Sequence, residues 1–182
     1  MCFRQIGGTQ HQTARSLYLV PARRTPKAAY VPAGRTLHLV DLENLMGGPK
    51  HDVELINEAV LRYRAAAHVE TSDHVVMAVN PALALAAGLA WPSARLIPGR
   101  GVDGADLALL SQVIDRHWIA SRYDRVVIGS GDGIFAPVIA DFRALGIATG
   151  VVTQQCRLSR HLRRIASFIC FIESTDELQS VA

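Results

Sequence analysis

Short apolar runs alternate along the chain with longer segments in which apolar residues recur at helical spacing. The segment HDVELINEAVLRYRAAAH is an example, because Val53, Ile56, Val60, Tyr63 and Ala67 fall on one face of a helix. Most of the short runs are apolar throughout, which is typical of strands in a parallel sheet covered on both faces. The alternation therefore predicts an α/β fold, a three-layer α/β/α sandwich with a mainly parallel sheet of about five to six strands.

The strands and helices can be assigned to particular segments. The predicted strands are TLHLVD, HVVMAV, ARLIP, DRVVIGS, IATGVVT and ASFICFI, with helical segments between them. A long helix is predicted from about 104 to 121, with Leu107, Leu110, Ile114 and Trp118 on its buried face. A short helix is predicted in LSRHLRR, before the last strand.

Length, composition and charge suggest one domain with basic extensions. The chain has 182 residues, of which 49% are apolar and 19% are charged. We predict a basic arm over residues 1–34, a single domain over 35–173 and a polar tail over 174–182. The net charge is +3, yet residues 1–35 contain six basic residues and no acid, and a second basic cluster lies in CRLSRHLRR. Basic clusters on an acidic body favour a phosphate-bearing partner, although a solvated surface would give the same pattern.

The sequence gives no sign of a membrane or secreted protein. No apolar run approaches the roughly 20 residues that span a bilayer, and the first residues lack the apolar core of a signal peptide. Cys2, Cys156 and Cys170 have no CxxC spacing, which favours a reducing compartment over a disulfide framework. We therefore expect a cytoplasmic protein with no membrane partner. The oligomeric state stays open, with a homodimer among the alternatives.

Acidic residues follow several of the predicted strands. Asp41 ends the first strand, Asp132 follows the fourth, and Asp103 and Asp106 lie where the helix after the third strand begins. Because the carboxyl ends of parallel strands share one edge of the sheet, we expect these acids and Asn44 to converge there. Converging carboxylates repel one another, and a hard cation such as Mg²⁺ or Mn²⁺ relieves the repulsion.

Each acid also has a purely structural interpretation. Asp41 and Asp132 are suited to capping a loop or helix, because Asp is a favoured N-cap residue. Asp103 fits a loop position, and Asp106 would be favoured in the first turn of a helix by the helix dipole alone. Glu43 could be a metal ligand or a surface residue, and we favour the surface position. The metal-site hypothesis therefore depends on the acids meeting at one edge of the sheet.

Three segments resemble the NYN domain, a branch of the PIN-like family of metal-dependent nucleases. They are LHLVDLENLMG, GRGVDGADLALLSQV and YDRVVIGSGDGIFAPVIADFRALGIATGVVT, which occur in the family's order over residues 36–153. The first contains the D-x-x-N pattern, and the third contains the SGD pattern after a strand. The resemblance implies a Rossmann-like parallel sheet, a Mg²⁺ or Mn²⁺ site and cleavage of RNA.

The resemblance also implies roles for particular residues. Asp41, Asp106 and Asp132 would be the acidic, catalytic ligands of the metal, and Asn44 and Ser130 would be polar supports. The metal-dependent activity would be that of an endoribonuclease, with RNA as the partner. The basic cluster after the fifth strand would contact the RNA backbone through Arg157, Arg160, Arg163 and Arg164.

Two positions depart from the family pattern. Many relatives have a second acid two residues after the SGD acid, where this chain has Ile134. The middle segment contains both Asp103 and Asp106, so either could be the metal ligand; we favour Asp106, in the first turn of the helix. The departure at Ile134 leaves two alternatives open: a single strong metal site, or an RNA-binding module that does not cleave.

The loop GSGDGI allows a further hypothesis, a nucleotide-binding enzyme. It does not match the dinucleotide-binding pattern GxGxxG, because Ile134 occupies the position of the last glycine. We instead expect Gly131 and Gly133 to let the loop turn tightly and to leave space for a metal ion and its waters.

Overall fold

A computed structural model describes residues 34–48 and 52–172 of the chain. Residues 1–33 of the predicted basic arm and the predicted tail over 174–182 lie outside the described residues. The strands are β1 Thr36–Asp41, β2 His74–Val79, β3 Arg95–Pro98, β4 Arg125–Gly129, β5 Ala148–Gln154 and β6 Phe168–Ile172. The helices are α1 Leu42–Met46, α2 Val53–Ala66, α3 Ala84–Ala90, α4 Gly104–Ser111, α5 Arg116–Ala120, α6 Ala136–Ala144 and α7 Arg160–Ile165.

The six strands form one parallel sheet in the order β3-β2-β1-β4-β5-β6. The chain builds outward from β1 to β3 and then returns to the centre to place β4 beside β1. In the register of that central pair, Val40 lies opposite Gly129. The loops that leave β1 and β4 therefore diverge at the switch point, where open α/β sheets bind their ligands.

Helices cover both faces of the sheet, which confirms the predicted three-layer sandwich. On one face, Leu39, Ile128 and Val151 pack with the apolar residues of α4, α6 and α7. On the other face, Val40, Met77 and Val127 pack with those of α1, α2 and α3. The alternation within each strand follows from the two-residue repeat of the extended chain. None of the helices in the described residues has the length and apolar character needed to span a membrane.

The long helix predicted over 104–121 is wrong, because the chain forms α4 and α5 with a break between them. Asp115 begins α5 as its N-cap, and its side chain accepts a hydrogen bond of 2.9 Å from the backbone N–H of Trp118. The predicted buried face is wrong as well. Leu107, Ile114 and Trp118 are 58%, 74% and 50% exposed.

The inward face of this segment consists instead of Asp106, Leu109 and Val113, which are buried. These residues have the spacing i, i+3, i+7, so Asp106 and Leu109 share one side of α4, and Val113 lies in the turn that follows it. The segment ADLALL is apolar on almost every side, so the sequence pattern could not distinguish this face from the one containing Leu107. Because Asp106 belongs to this inward face of α4, it lies on the side of the helix that faces the sheet.

Candidate functional site

Asp41 is the last residue of β1 and is 6% exposed. Its Oδ1 accepts a hydrogen bond of 3.1 Å from the backbone N–H of Asn44, so Asp41 is the N-cap of α1. The capping interpretation of this residue is thus confirmed. Burial raises the pKa of Asp41, the N–H of Asn44 partly offsets this, and the charges of Glu43 and Asp132 raise it further.

Asp106 lies in the first turn of α4 and is 7% exposed. Burial, followed by the charges of Asp41, Asp132 and Asp103, raises the pKa of Asp106 to about 7. Its Oδ1 is buried and has no hydrogen-bond partner among the described residues. A buried, unpaired carboxylate oxygen is costly, so a proton or a cation would stabilise this atom.

Asp132 follows β4 and is exposed. Its Oδ1 accepts a hydrogen bond of 2.9 Å from the backbone N–H of Ile134, and it caps the short 3₁₀ turn Gly133–Phe135. The capping interpretation is therefore confirmed here too. Because the charge of Asp132 raises the pKa of both Asp41 and Asp106, the three carboxylates form one electrostatic group at the carboxyl edge of the sheet.

Asn44 and Ser130 support the loops on which these acids lie. The Oδ1 of Asn44 accepts a hydrogen bond of 3.1 Å from the backbone N–H of Gly131. The Oγ of Ser130, which is fully buried, accepts one of 3.2 Å from the N–H of Asp132. The first contact joins the loop after β1 to the loop after β4, so it fixes Asp41 and Asp132 relative to each other.

The expected role of Gly131, to leave space for a metal, is wrong. A Cβ atom at Gly131 would lie 2.3 Å from the carbonyl oxygen of Arg157. The carbonyl of Gly131 also accepts a hydrogen bond of 2.9 Å from the N–H of Ser159. Neither Gly131 nor Gly133 has a positive φ. Glycine is needed at 131 because the segment after β5 packs directly against the loop.

Asp103 and Ile134, the positions at which the sequence left alternatives open, have different environments. Asp103 is exposed, has a left-handed φ of 54° and makes no capping hydrogen bond through its side chain. Its charge nevertheless contributes to the raised pKa of Asp106, so it lies at the margin of the acidic group. Ile134 is half-buried and packs against the apolar core on the α4 face. Asp106 is thus the buried acid of this segment, and Asp103 is a loop residue.

The basic cluster after β5 divides into two parts. The guanidinium group of Arg157 donates a hydrogen bond to the carbonyl of Gly47, at the end of α1. Gln154 makes a parallel contact, since its Nε2 donates to the carbonyl of Leu45 at 2.9 Å. Arg157 therefore has a structural contact that the sequence did not indicate. The exposed arginines of α7 are Arg160, Arg163 and Arg164.

Three residues near the site were not identified from the sequence as functional. Glu43 is half-buried, and its charge contributes to the raised pKa of Asp41. Thr153, at the end of β5, is fully buried, and its Oγ1 has no hydrogen-bond partner among the described residues. The Nδ1 of His161 lies 3.8 Å from the place where a Cβ of Gly133 would be. Two features of the sequence could have indicated these residues. Thr153 lies at the end of a strand, and His161 lies among the arginines of α7.

The donor atoms at this edge fit a hard cation, because they are carboxylate oxygens and one of them, Asp106 Oδ1, is buried without a partner. Within 34–48 and 52–172, no three His, Cys, Asp or Glu side chains are arranged as ready ligands for one metal ion. Mg²⁺ does not require such a set, since it keeps several waters and usually binds one or two protein carboxylates together with substrate phosphate. The group therefore fits an open site completed by substrate better than a closed structural site.

Comparison with known proteins supports the fold. No protein-family model and no curated protein matches the chain. A solved structure of a protein of unknown function from Vibrio parahaemolyticus RIMD 2210633 is similar, with a TM-score of 0.57 and 17% sequence identity. The alignment covers 77% of this chain and 93% of the Vibrio protein. At this identity the likeness shows the α/β fold alone.

Proposed function

We propose that the protein is a metal-dependent endoribonuclease of the NYN type, with its active site at the carboxyl edge of the sheet. The observation that carries the proposal is Asp106. Its carboxyl is buried, one oxygen lacks a partner among the described residues, and its pKa is raised to about 7 beside Asp41 and Asp132. Perturbed acids grouped at the switch point of an α/β sheet are typical of functional sites.

Asp41, Asp106 and Asp132 would hold Mg²⁺ or Mn²⁺. The bound ion would supply charge neutralisation at a scissile phosphate and acidify a water molecule. Asn44 and Ser130 hold the loops of Asp41 and Asp132 through their contacts with backbone N–H groups. In the free protein, the raised pKa of Asp106 keeps a proton on the acidic group near neutral pH, and cation binding would displace it.

The location of α7 beside the loop after β4 supports a role for this helix in binding the RNA backbone. Ser159, its N-cap, donates its backbone N–H to Gly131, and His161 lies beside Gly133. Arg160 and Arg164 are exposed on this helix, so they would be available to a phosphate chain near the loop that carries Asp132. Guanidinium groups suit this role, because they bind phosphate in a bidentate manner.

A second candidate function is an RNA-binding module without cleavage. Ile134 favours it, because an apolar side chain packed against the core takes the place where many NYN relatives have an acid. Such a module would keep the sheet, the loops and the α7 arginines while the acids served only as caps. It would bind RNA equally well with and without a divalent ion.

The two functions differ in metal-dependent cleavage. Labelled single-stranded and structured RNAs would be incubated with the full chain in Mn²⁺, in Mg²⁺ and in EDTA, with a matched DNA strand alongside. We expect cleavage only with the metal, and a loss of about 100-fold or more in Asp106→Asn.

The matched control for this experiment is Asp141→Asn, which removes an acid that pairs with Arg116 on the outer surface. Its cleavage rate should equal that of the wild type. RNA binding with no cleavage in either metal would support the second candidate and exclude the first. Cleavage that survives both EDTA and Asp106→Asn would exclude a metal site at these acids.

A further inference from the structure

A cavity of about 440 Å³ lies at the amino edge of the sheet, opposite the acidic site. Arg35 precedes β1, Arg95 begins β3, and Arg122 lies between α5 and β4, and all three line the cavity. Six residue steps along β1 separate Arg35 from Asp41, which at ~3.3 Å a residue is about 20 Å. The cavity is therefore a separate feature from the acidic site, and its volume is within the range of roughly 300–1,000 Å³ typical of small-ligand sites.

The lining of this cavity is positively charged. Of the three arginines, none forms an ion pair with another of the described residues. Asp73 is the acid in the lining, but its carboxylate is already bonded inside the protein. It accepts hydrogen bonds from the backbone N–H of Thr36 at 2.8 Å and of Glu70 at 2.9 Å, and it contacts His38 Nε2 at 3.3 Å. The Nη2 of Arg35 also contacts Nε2 of His74, but no carboxylate of the described residues pairs with any of the three guanidinium groups, so their charges are available to an anion.

Two of the arginines are held in place by aromatic rings. The guanidinium of Arg35 lies 5.4 Å from the ring centre of Tyr123, and its Nε donates to the carbonyl of Ser72 at 3.2 Å. The guanidinium of Arg122 lies 4.6 Å from the ring centre of Trp118. Half of the Trp118 surface remains exposed, so a flat ring has a surface on which to stack.

We propose that this cavity binds a nucleotide, with its phosphate on Arg35, Arg95 and Arg122 and its base stacked on Trp118. Guanidinium groups bind phosphate through charge-assisted, often bidentate hydrogen bonds, and any base can stack on an indole ring. A free mononucleotide and one nucleotide of an RNA strand have this chemistry in common. The assignment does not depend on the proposed ribonuclease activity, because it uses none of the residues at the acidic edge.

The test is equilibrium binding to the full chain in EDTA, so that no metal-dependent cleavage alters the ligand. The probes are a set of four ribonucleoside monophosphates, a short labelled RNA oligomer and inorganic pyrophosphate. The variant Arg95→Gln/Arg122→Gln removes two exposed side chains, so the fold should be kept. The control Arg143→Gln also removes a guanidinium, one that instead donates to the carbonyl of Ile165.

We expect the double variant to weaken binding by about tenfold or more, and Arg143→Gln to leave it within about twofold. Binding of the monophosphates would identify a free nucleotide as the ligand, whereas binding of the oligomer alone would identify a nucleotide within an RNA strand. Trp118→Leu should weaken nucleotide binding more than pyrophosphate binding, because it removes the stacking surface as well as the ring beside Arg122. The proposal is overturned if no probe binds, if the double variant binds as the wild type does, or if Trp118→Leu has no effect on nucleotide binding.

Discussion

The side chain of Asn44 accepts a hydrogen bond of 3.1 Å from the backbone N–H of Gly131 and so joins the two loops that carry Asp41 and Asp132. The residues are far apart in the sequence, but β1 and β4 are neighbours in the sheet. On its other side, Gly131 is in contact with the carbonyl of Arg157. The loop after β4 is therefore held between the loops after β1 and β5, and the acidic site depends on that packing.

Replacing Gly131 tests this packing. A Cβ at Gly131 would lie 2.3 Å from a backbone oxygen, which cannot move without displacing the segment before α7. We expect Gly131→Ala to lower the free energy of unfolding by about 1–3 kcal/mol and to reduce RNA cleavage. Urea denaturation measures the first effect, and initial rates measure the second.

Gly133→Ala is the matched control for that change. At Gly133 a Cβ would make only ordinary contacts, the nearest being 3.5 Å from the Oγ of Ser159. Its stability should differ from that of the wild type by less than about 1 kcal/mol. Equal destabilisation by the two substitutions would show that the close approach to Arg157 is not what requires glycine at 131.

The pKa of Asp106 predicts how stability depends on pH. Because this pKa is raised from 3.8 to about 7 in the folded state, the native protein holds more protons than the unfolded chain between those values. Stability in EDTA should therefore decrease as pH rises through this window, by at most about 1.4 kcal/mol per pH unit from this group. Asp106→Asn should lose that slope, which chemical denaturation at a series of pH values measures. An unchanged slope would contradict the raised pKa.

The lowered pKa of Asp73 predicts the opposite dependence of stability on pH, a loss of stability in acid. Burial alone would raise its pKa, but hydrogen bonds from His38 and from the N–H groups of Glu70 and Thr36 lower it from 3.8 to about 2. The stability that this carboxylate contributes is present above pH 3.8 and is lost as pH falls toward 2.

Asp73→Asn should cost about 1–3 kcal/mol at pH 7, because it weakens several hydrogen bonds to one buried side chain. The cost should shrink below pH 3.8, because the carboxylate of the unfolded wild type becomes protonated there while that of the folded protein is still ionised. The measurement is urea denaturation of both proteins at pH 7 and pH 3. A cost that is the same at both pH values would show that the charge of Asp73 is not what stabilises the fold.

The arginines around α7 should separate into two classes. Arg157→Gln removes the contact with the Gly47 carbonyl, so it should lower stability by about 1–2 kcal/mol. Arg157 and Arg164 are both exposed, so the contact with Gly47 is what separates them, and Arg164→Gln should leave stability unchanged. It should instead weaken RNA binding and reduce its salt dependence by about one phosphate contact. RNA binding measured at several salt concentrations and urea denaturation test the two predictions. A loss of stability in Arg164→Gln but not in Arg157→Gln would contradict them.

The sheet and the edge at which the acids meet could be predicted from the sequence, because both follow from apolar strand runs in a parallel fold. The inward register of α4 could not, since Leu107 and Leu109 are equally apolar and packing alone selects Leu109. The contacts of Gly131 and Arg157 could not be predicted either. They arise where loops distant in sequence approach one another, and no local pattern encodes that approach.

The most direct test of a metal site at Asp106 is Mn²⁺ binding to the full chain, measured by electron paramagnetic resonance for the wild type, Asp106→Asn and Asp141→Asn. Binding does not depend on the choice of RNA, so it tests the acidic site itself. We expect the wild type and Asp141→Asn to bind Mn²⁺ alike, and Asp106→Asn to bind it at least about tenfold more weakly. Equal Mn²⁺ binding by all three proteins, or no binding by the wild type, would contradict a metal site at Asp106.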